Sequence, residues 1–239
     1  TDAFQFDNPL HPLSLKRWPR RRGERLRAWD GADLLLLEHA ADLDADTLCS
    51  VINDQCGAIA LPLLACARRL SSISDSWQAH QALVANARDN QINIGSLQWH
   101  WRVSELQATP TQVLMRVPKS LALFESQLEA FAERLQLGAT VTVAAMDKHT
   151  PPTLVQLLEK LIGPVSRDRG RHKAHLYHAC LDARREPSTR WPTSVEVPEL
   201  GASLSVDAGV FSQTQLDPGA RFLLGHLPEI GQGTAVDLG

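Results

Sequence analysis

Strand-like and helix-like segments alternate along this chain from about Trp29 to Leu181, and that alternation restricts the fold more than any other feature. Short runs of β-branched and apolar residues at 47–52, 71–74, 112–117, 140–146 and 173–181 are separated by segments whose apolar residues follow helical spacing. Strands that alternate with helices pair in parallel through crossovers, so the pattern predicts a doubly wound α/β sheet. The spacing predicts a helix over 30–41 with Leu34, Leu37 and Ala41 on one side, and another over 57–70 with Pro62 in its first turn. Ser76 and Ser120 are N-caps, the first for a helix to about Asp89, the second for a stripe of Leu121, Phe124, Leu128, Phe131 and Leu135 stopped near Gly138. Thr150 and Pro151 read as the cap and first residue of a helix carrying Leu154, Leu157, Leu158 and Leu161.

After about Arg184 the texture turns to Pro, Ser and Val. Segments 194–197 and 203–206 read as a hairpin around Gly201, 217–227 as a helix and 234–238 as a further strand. The organisation expected is a basic arm over 1–28, an α/β domain over 29–185, and a β-rich extension over 186–239. The start at Thr1 and the stop at Gly239 read as truncation or processing points.

Apolar residues make up 44% of the 239, enough for a sizeable core and against a wholly disordered chain. A net charge of -3 excludes a uniformly basic nucleic-acid binder but leaves room for a local patch. The longest apolar run, 58–67, contains Pro62 and falls far short of the roughly 20 residues of a bilayer span. Arginines ahead of Leu34–Leu37 imitate a signal peptide, but Asp30, Asp33 and Glu38 break the apolar stretch. Cys49, Cys56, Cys66 and Cys180 form no C-x-x-C pair and read as buried thiols in a reducing cytosol. A cytoplasmic protein without a membrane partner is expected.

Charge is unevenly spread. Lys16, Arg17, Arg20, Arg21, Arg22, Arg25 and Arg27 are opposed only by Glu24, whereas 28–67 holds no Lys or Arg and seven acids. The two stretches either pair partly with each other or leave the basic one for phosphate and base contacts, which arginine favours. A second cluster, Arg167, Arg169, Arg171 and Lys173, alternates, and on extended backbone all four share one face. Arginine outnumbers lysine 19 to 5, in keeping with RNA binding or with a GC-rich genome.

In a dinucleotide-type fold a glycine-rich turn after the first strand cradles the ligand, and an acid ending the second strand holds the ribose. Here Asn53-Asp54-Gln55-Cys56-Gly57-Ala58 keeps only Gly57, and Asp75 stands at the acid's place. The segment reads as a nucleotide-type turn that has lost its nucleotide, or as a surface turn with a solvated aspartate. His172, His175 and His178 precede Cys180, with His172, His178 and Cys180 on one strand face. Zinc needs four convergent ligands, so no metal site is expected. No catalytic triad or G-x-S-x-G elbow is present.

Several segments, taken together, resemble the two-domain rRNA (guanine-N2) methyltransferases, nearest the 23S large-subunit branch. They are Leu15-Lys16-Arg17-Trp18-Pro19, Leu26-Arg27-Ala28-Trp29-Asp30-Gly31-Ala32-Asp33, Ile52 to Ala58, Val117-Pro118-Lys119-Ser120-Leu121, Val210-Phe211-Ser212, Leu216 to Phe222, and His226-Leu227-Pro228-Glu229. The resemblance implies two tandem class I methyltransferase folds, the first degenerate, the second binding S-adenosylmethionine and methylating a guanine amine of ribosomal RNA. Val51 to Gly57 is then the degenerate copy of Val236-Asp237-Leu238-Gly239, where Asp237 and Gly239 match the start of the cofactor loop. No catalytic residue carries over: the Asn-Pro-Pro-aromatic motif falls beyond Gly239, and the first copy has Val117-Pro118-Lys119 there. The expectation is an RNA-positioning N-terminal portion that binds no methyl donor itself, contacting RNA through Arg17, Arg20, Arg21, Arg22, Arg25, Arg167, Arg169, Arg171 and Lys173. The alternative is a freestanding RNA-binding or scaffold module.

Overall fold

Strands buried on both faces need apolar residues at successive positions, and the central strands of this chain supply them. The computed structural model describes residues 4–185, 191–227, 233, 234 and 236. The chain divides into two compact units, residues 1–187 and 188–239.

The first unit opens with a small antiparallel pair, β1 (Gln5–Phe6) and β2 (Leu13–Ser14), then α1 (Gly31–Ala41). There follow β3 (Cys49–Ile52), α2 (Ala60–Ala65), β4 (Leu70–Ile73), α3 (Trp77–Asp89) and β5 (Gln98–His100). Next come β6 (Gln112–Arg116), α4 (Leu121–Arg134), β7 (Thr140–Met146), α5 (Leu154–Leu161), β8 (Val165–Arg167) and β9 (Ala174–Cys180). The seven-stranded sheet has the order β5-β4-β3-β6-β7-β9-β8, and β9 alone runs against the others. This is the doubly wound α/β architecture the sequence predicts.

Alternation along each strand sends neighbours to opposite cores. Val51, Leu114, Ala144 and Leu176 join one core with Leu35–Leu37 of α1, Leu61 of α2 and Leu83 of α3. Ile52, Val113, Met115, Val143 and Tyr177 join the other with Phe124 and Phe131 of α4 and Leu158 of α5. Each fully buried side chain of this size contributes about 1.5–3 kcal/mol. The caps act as their chemistry dictates: Ser76 accepts the Ala79 N–H at 3.2 Å and Ser120 the Leu123 N–H at 3.3 Å.

Four local expectations change. The helix α1 buries Ala32, Leu35, Leu36, Leu37 and Ala40 while Leu34 and Ala41 are only half-buried, because Phe6, Leu13 and Leu15 enter the same core. The helix α2 ends at Ala65, and Ala67 at φ 54 reverses the chain so that β4 can start at Leu70. The helix α5 starts at Leu154, since the Thr150 hydroxyl donates instead to the Met146 carbonyl at 3.0 Å and leaves Thr150-Pro151 in the preceding turn.

The fourth concerns the arm expected over 1–28. Residues 4–15 are part of the folded unit, with Phe6, Leu13 and Leu15 at 0–2% exposure. Two asparagines one turn apart, Asn86 of α3 and Asn90 at its C-cap, hold the chain that follows. Asn90 accepts the Ser14 N–H and donates to the Ser14 carbonyl, both at 2.8 Å. Asn86, fully buried, accepts the Lys16 N–H at 3.1 Å and donates to the carbonyls of Lys16 and Cys56 at 2.9 Å. The amides act as a strand partner for residues two apart, an arrangement no local sequence signal announces.

In the second unit β10 (Thr193–Val197) and β11 (Ala202–Val206) form an antiparallel hairpin that turns at Gly201, φ +58. Val195, Val197 and Val206 make its small core. The helix α6 (Pro218–Leu224) is capped by Asp217, which accepts the Ala220 N–H at 3.1 Å. No helix among the described residues is long and apolar enough to cross a membrane.

Candidate functional site

Strand order reverses between β3 and β6, which makes the carboxyl ends of these two strands the place where an open α/β sheet receives a ligand. A crevice of about 210 Å³ lies there, lined by Asn53, Asp54 and Cys56 after β3, Arg116 at the end of β6, and Asp30 and Asp33 of α1's first turn. Arg17 and Arg27 lie on it as well.

Its chemistry is turned inward. Asp54 is 1% exposed, and its carboxylate accepts N–H bonds from Cys56 at 3.3 Å and from Ala58, Ile59 and Ala60 at 2.9 Å. These are the donors of the loop and of the start of α2, the groups a bound anion would otherwise use. Gly57 has φ +77, and a Cβ there would meet Leu61 Cδ1 at 2.8 Å, so turn geometry and packing account for this glycine. Asn53, at φ 63, donates to the Arg116 carbonyl and to Gln127 Oε1, both at 2.9 Å, and accepts from Gln127 Nε2 at 3.0 Å.

Arg116 fills the remainder. Its guanidinium bonds both oxygens of Asp30 and lies 3.0 Å from Asp33 Oδ1. Asp33 also accepts the Asp30 N–H at 2.8 Å, completing a capping box with Asp30. Burial pushes the Asp33 carboxyl up to about 7, against the pull of Arg116. Burial also works against the Asp30 charge, but the Arg116 guanidinium bonded to it holds that carboxyl below its usual range. Arg116 is desolvated too, yet Asp33 and Asp30 more than offset this and raise it further. Burial, reinforced by Asp54 and Asp33, lifts the Cys56 thiol to about 12, and burial lifts Cys49 to about 11, so neither is a nucleophile. The acids are already taken, Asp30 and Asp33 by Arg116 and Asp54 by the loop amides, and the space is below the roughly 300–1,000 Å³ of small-molecule pockets. The residues present do not fit the methyl donor that the family resemblance implies. Asp75, expected at the ribose acid's place, is exposed at the surface. Neither Asp33 nor Arg116 is singled out by the sequence, since 83 residues separate an acid in an acidic run from an arginine ending an apolar strand.

The basic residues take up different positions. Arg17 lies 4.0 Å from Glu24, and Lys16 and Arg20 pair with Asp89 of α3 at 3.6 and 2.5 Å. The expected pairing with the acidic stretch 28–67 does not form for them; Arg116 and Arg171 serve Asp30, Asp33 and Glu38 instead. Arg21, Arg22 and Arg25 are exposed; the Arg25 N–H donates to the Glu24 carboxylate at 3.0 Å, but the guanidinium groups of Arg22 and Arg25 form no ion pair among the described residues. Arg167, Arg169, Arg171 and Lys173 do not share one extended face. Arg171 and Ala174 exchange backbone bonds at 3.0 and 2.9 Å around His172 and Lys173, both at positive φ, which makes a tight hairpin turn and ends the period of two. Arg167 bonds His175 Nε2 at 2.8 Å and Arg171 pairs with Glu38 at 2.5 Å.

The expected set of His172, His178 and Cys180 on one face also dissolves, because His172 belongs to that turn. His178 bonds Thr142 at 3.1 Å and Asp168 at 3.1 Å, while His175 bonds Asp147 at 2.6 Å. Of the cysteines only Cys49 and Cys56 are buried; Cys66 and Cys180 are exposed. Asp237 and Gly239, the expected start of a cofactor loop, lie outside the described residues.

A family model described as the RLMG N-terminal domain matches residues 3–183. The chain belongs to that family. A second model, the methyltransferase small domain, matches residues 201–239. A "Ribosomal RNA large subunit methyltransferase G" of Alcanivorax borkumensis is 42% identical over 234 residues, covering 94% of this chain and 59% of the relative. Another of that name, from Pseudomonas fluorescens, is 37% identical over 237 residues, covering 98% and 63%. The chain thus spans about three fifths of the length of these relatives. Among solved structures, a T. thermophilus 16S rRNA N2 methyltransferase in complex with AdoMet and guanosine superposes with a TM-score of 0.64 at 18% identity, over 94% of this chain and 58% of that one. That likeness establishes the fold, a class I methyltransferase sheet.

Proposed function

We propose that this chain is the N-terminal portion of an S-adenosylmethionine-dependent rRNA guanine-N2 methyltransferase acting on the large subunit, that this portion positions ribosomal RNA, and that it does not bind the methyl donor itself. The observation that carries the reading is the Asp54 carboxylate, which saturates the loop donors a cofactor would need. The family membership and the names of the relatives support the methyltransferase assignment. On this reading residues 29–185 are a degenerate methyltransferase domain preceded by a basic segment over 1–28. Residues 186–239 lead into the catalytic domain, whose cofactor loop begins at Asp237 and Gly239. The protein acts in the cytoplasm, and Arg17, Arg20, Arg21, Arg22, Arg25, Arg167, Arg169, Arg171 and Lys173 are its RNA contacts.

Two measurements test this. Calorimetric titration of S-adenosylmethionine into the chain gives no saturable heat; saturable binding lost on Cys56→Trp, which blocks the crevice, refutes the silent-domain reading. Replacing Arg21, Arg22 and Arg25 with Ala spares the Arg20–Asp89 pair and removes three exposed charges. It weakens binding to rRNA fragments and flattens the salt dependence by about 0.7–0.9 per lost phosphate contact. Unchanged affinity and slope remove this segment from the RNA surface.

A further inference from the structure

Three of the six tryptophans form one ring cluster near the β5 edge of the sheet, outside the lining of the crevice. Trp77 follows β4 and Trp101 follows β5, so the parallel pairing of these strands brings them side by side. Their rings stack at 6.0 Å between centroids with 24° between planes. His80, one turn along α3, lies 5.6 Å from Trp77 and 4.8 Å from Trp99, and Trp99 lies 5.6 Å from Trp101. The contacts among these four rings fix one another's orientation, yet Trp77 is 63% exposed and Trp101 38%. A chain that is only 5% aromatic leaves its largest side chains in water here, and a contiguous exposed apolar patch marks a contact surface.

We propose that Trp77 and Trp101, braced by His80 and Trp99, are a stacking platform for unpaired bases of RNA, an inference that rests on the RNA-positioning reading above. The choice of occupant comes from charge. The helix that carries Trp77 and His80 at its start holds Lys16 and Arg20 at its end through Asp89, and so anchors the basic segment. Roughly 18 Å of helix separates Trp77 from Asp89, a span of about five stacked nucleotides. Aromatic faces for bases beside cations for the backbone are what single-stranded RNA requires of a surface that does not read its sequence. An apolar protein partner has no use for the cations, and a duplex offers no free base faces.

The test is the affinity of the chain for a labelled 12-nucleotide oligoadenylate and for a blunt RNA duplex of the same length. Stacking of one base corresponds to about a 5- to 150-fold loss on truncation. Trp77→Ala and Trp101→Ala should each weaken single-strand binding within that range, Trp77→Phe should recover most of it, and duplex binding should not change. Single-strand affinity unchanged in Trp77→Ala but lost in the Arg21/Arg22/Arg25→Ala variant overturns the platform and leaves the RNA reading standing. A Phe variant as weak as the Ala variant, or equal loss on the duplex, overturns stacking as the cause. No binding of either RNA by the unaltered chain overturns both.

Discussion

Replacing Asp54 with Ala removes a buried anion from four N–H groups that have no other acceptor in their loop. Hydrogen bonds to a charged group contribute about 1.5–3 kcal/mol each, and an orphaned buried donor costs about 1–3 kcal/mol. These terms do not add in full, because the neighbouring crevice of about 210 Å³ can admit water to some of the donors. With two of the four left unsatisfied, the loss is about 3–4 kcal/mol, which in a unit of this size lowers Tm by roughly 6–16 °C. Asp54→Asn keeps the volume and one acceptor but turns its NH₂ towards two donors, so it recovers only part of the loss. Urea unfolding followed by far-UV circular dichroism at constant m-value measures both variants. A shift below about 1 kcal/mol for Asp54→Ala would mean that water replaces the carboxylate without penalty and that the cradle is not held shut by it.

The remaining expectations are more local. Gly31→Ala places a Cβ 2.2 Å from the His172 carbonyl oxygen, so the β8–β9 turn must shift, at about 1–3 kcal/mol in a denaturant melt; no change would show that the turn yields freely. Asn86→Ala strands the Lys16 N–H and the Lys16 and Cys56 carbonyls, costs about 2–4 kcal/mol and speeds tryptic cleavage among Arg17–Arg27, and an unaltered digestion pattern would count against the clamp. Asp33 binds its proton more tightly folded, near pH 7, than unfolded, near pH 4, so its contribution to stability is complete below about pH 4 and is lost as pH rises to about 7. Stability of the parent minus that of Asp33→Asn should therefore fall between pH 5 and 7 and level off above, and a flat difference would refute it.

The parts of the fold that local chemistry decides were readable from the residues. Ser76 and Ser120 cap the helices they precede, and Gly201 turns the hairpin whose strands flank it. The misread parts depend on partners distant in the chain or on two local bonds in competition. Nothing near Leu34 tells that Phe6 and Leu15 enter the same core as α1, so its expected one-sided stripe is not the buried face. Thr150 has cap chemistry but also an acceptor within reach at Met146, and the nearer bond prevails. For the crevice, the eroded glycine pattern was visible at 53–58, whereas what replaced it was not. Asp54 looks like any turn aspartate until its oxygens are seen facing four amides, and Arg116 meets Asp30 only through strand order. Trp77, Trp99 and Trp101 become one object only once β4 and β5 are known to be neighbours.

The asparagine clamp on Ser14 and Lys16 has a bearing on how tightly any polyanion can be held. Residues 17–27 leave the clamp at one end and re-enter at Asp30 under Arg116 at the other, so they form a tethered loop of eleven residues with both feet planted. A free tail of that length would surrender on the order of 1–2 kcal/mol per backbone residue when it settled on a ligand. A loop already pinned has given up part of that freedom during folding, so under the proposed RNA-positioning role less of it remains to be lost when its guanidinium groups meet phosphates.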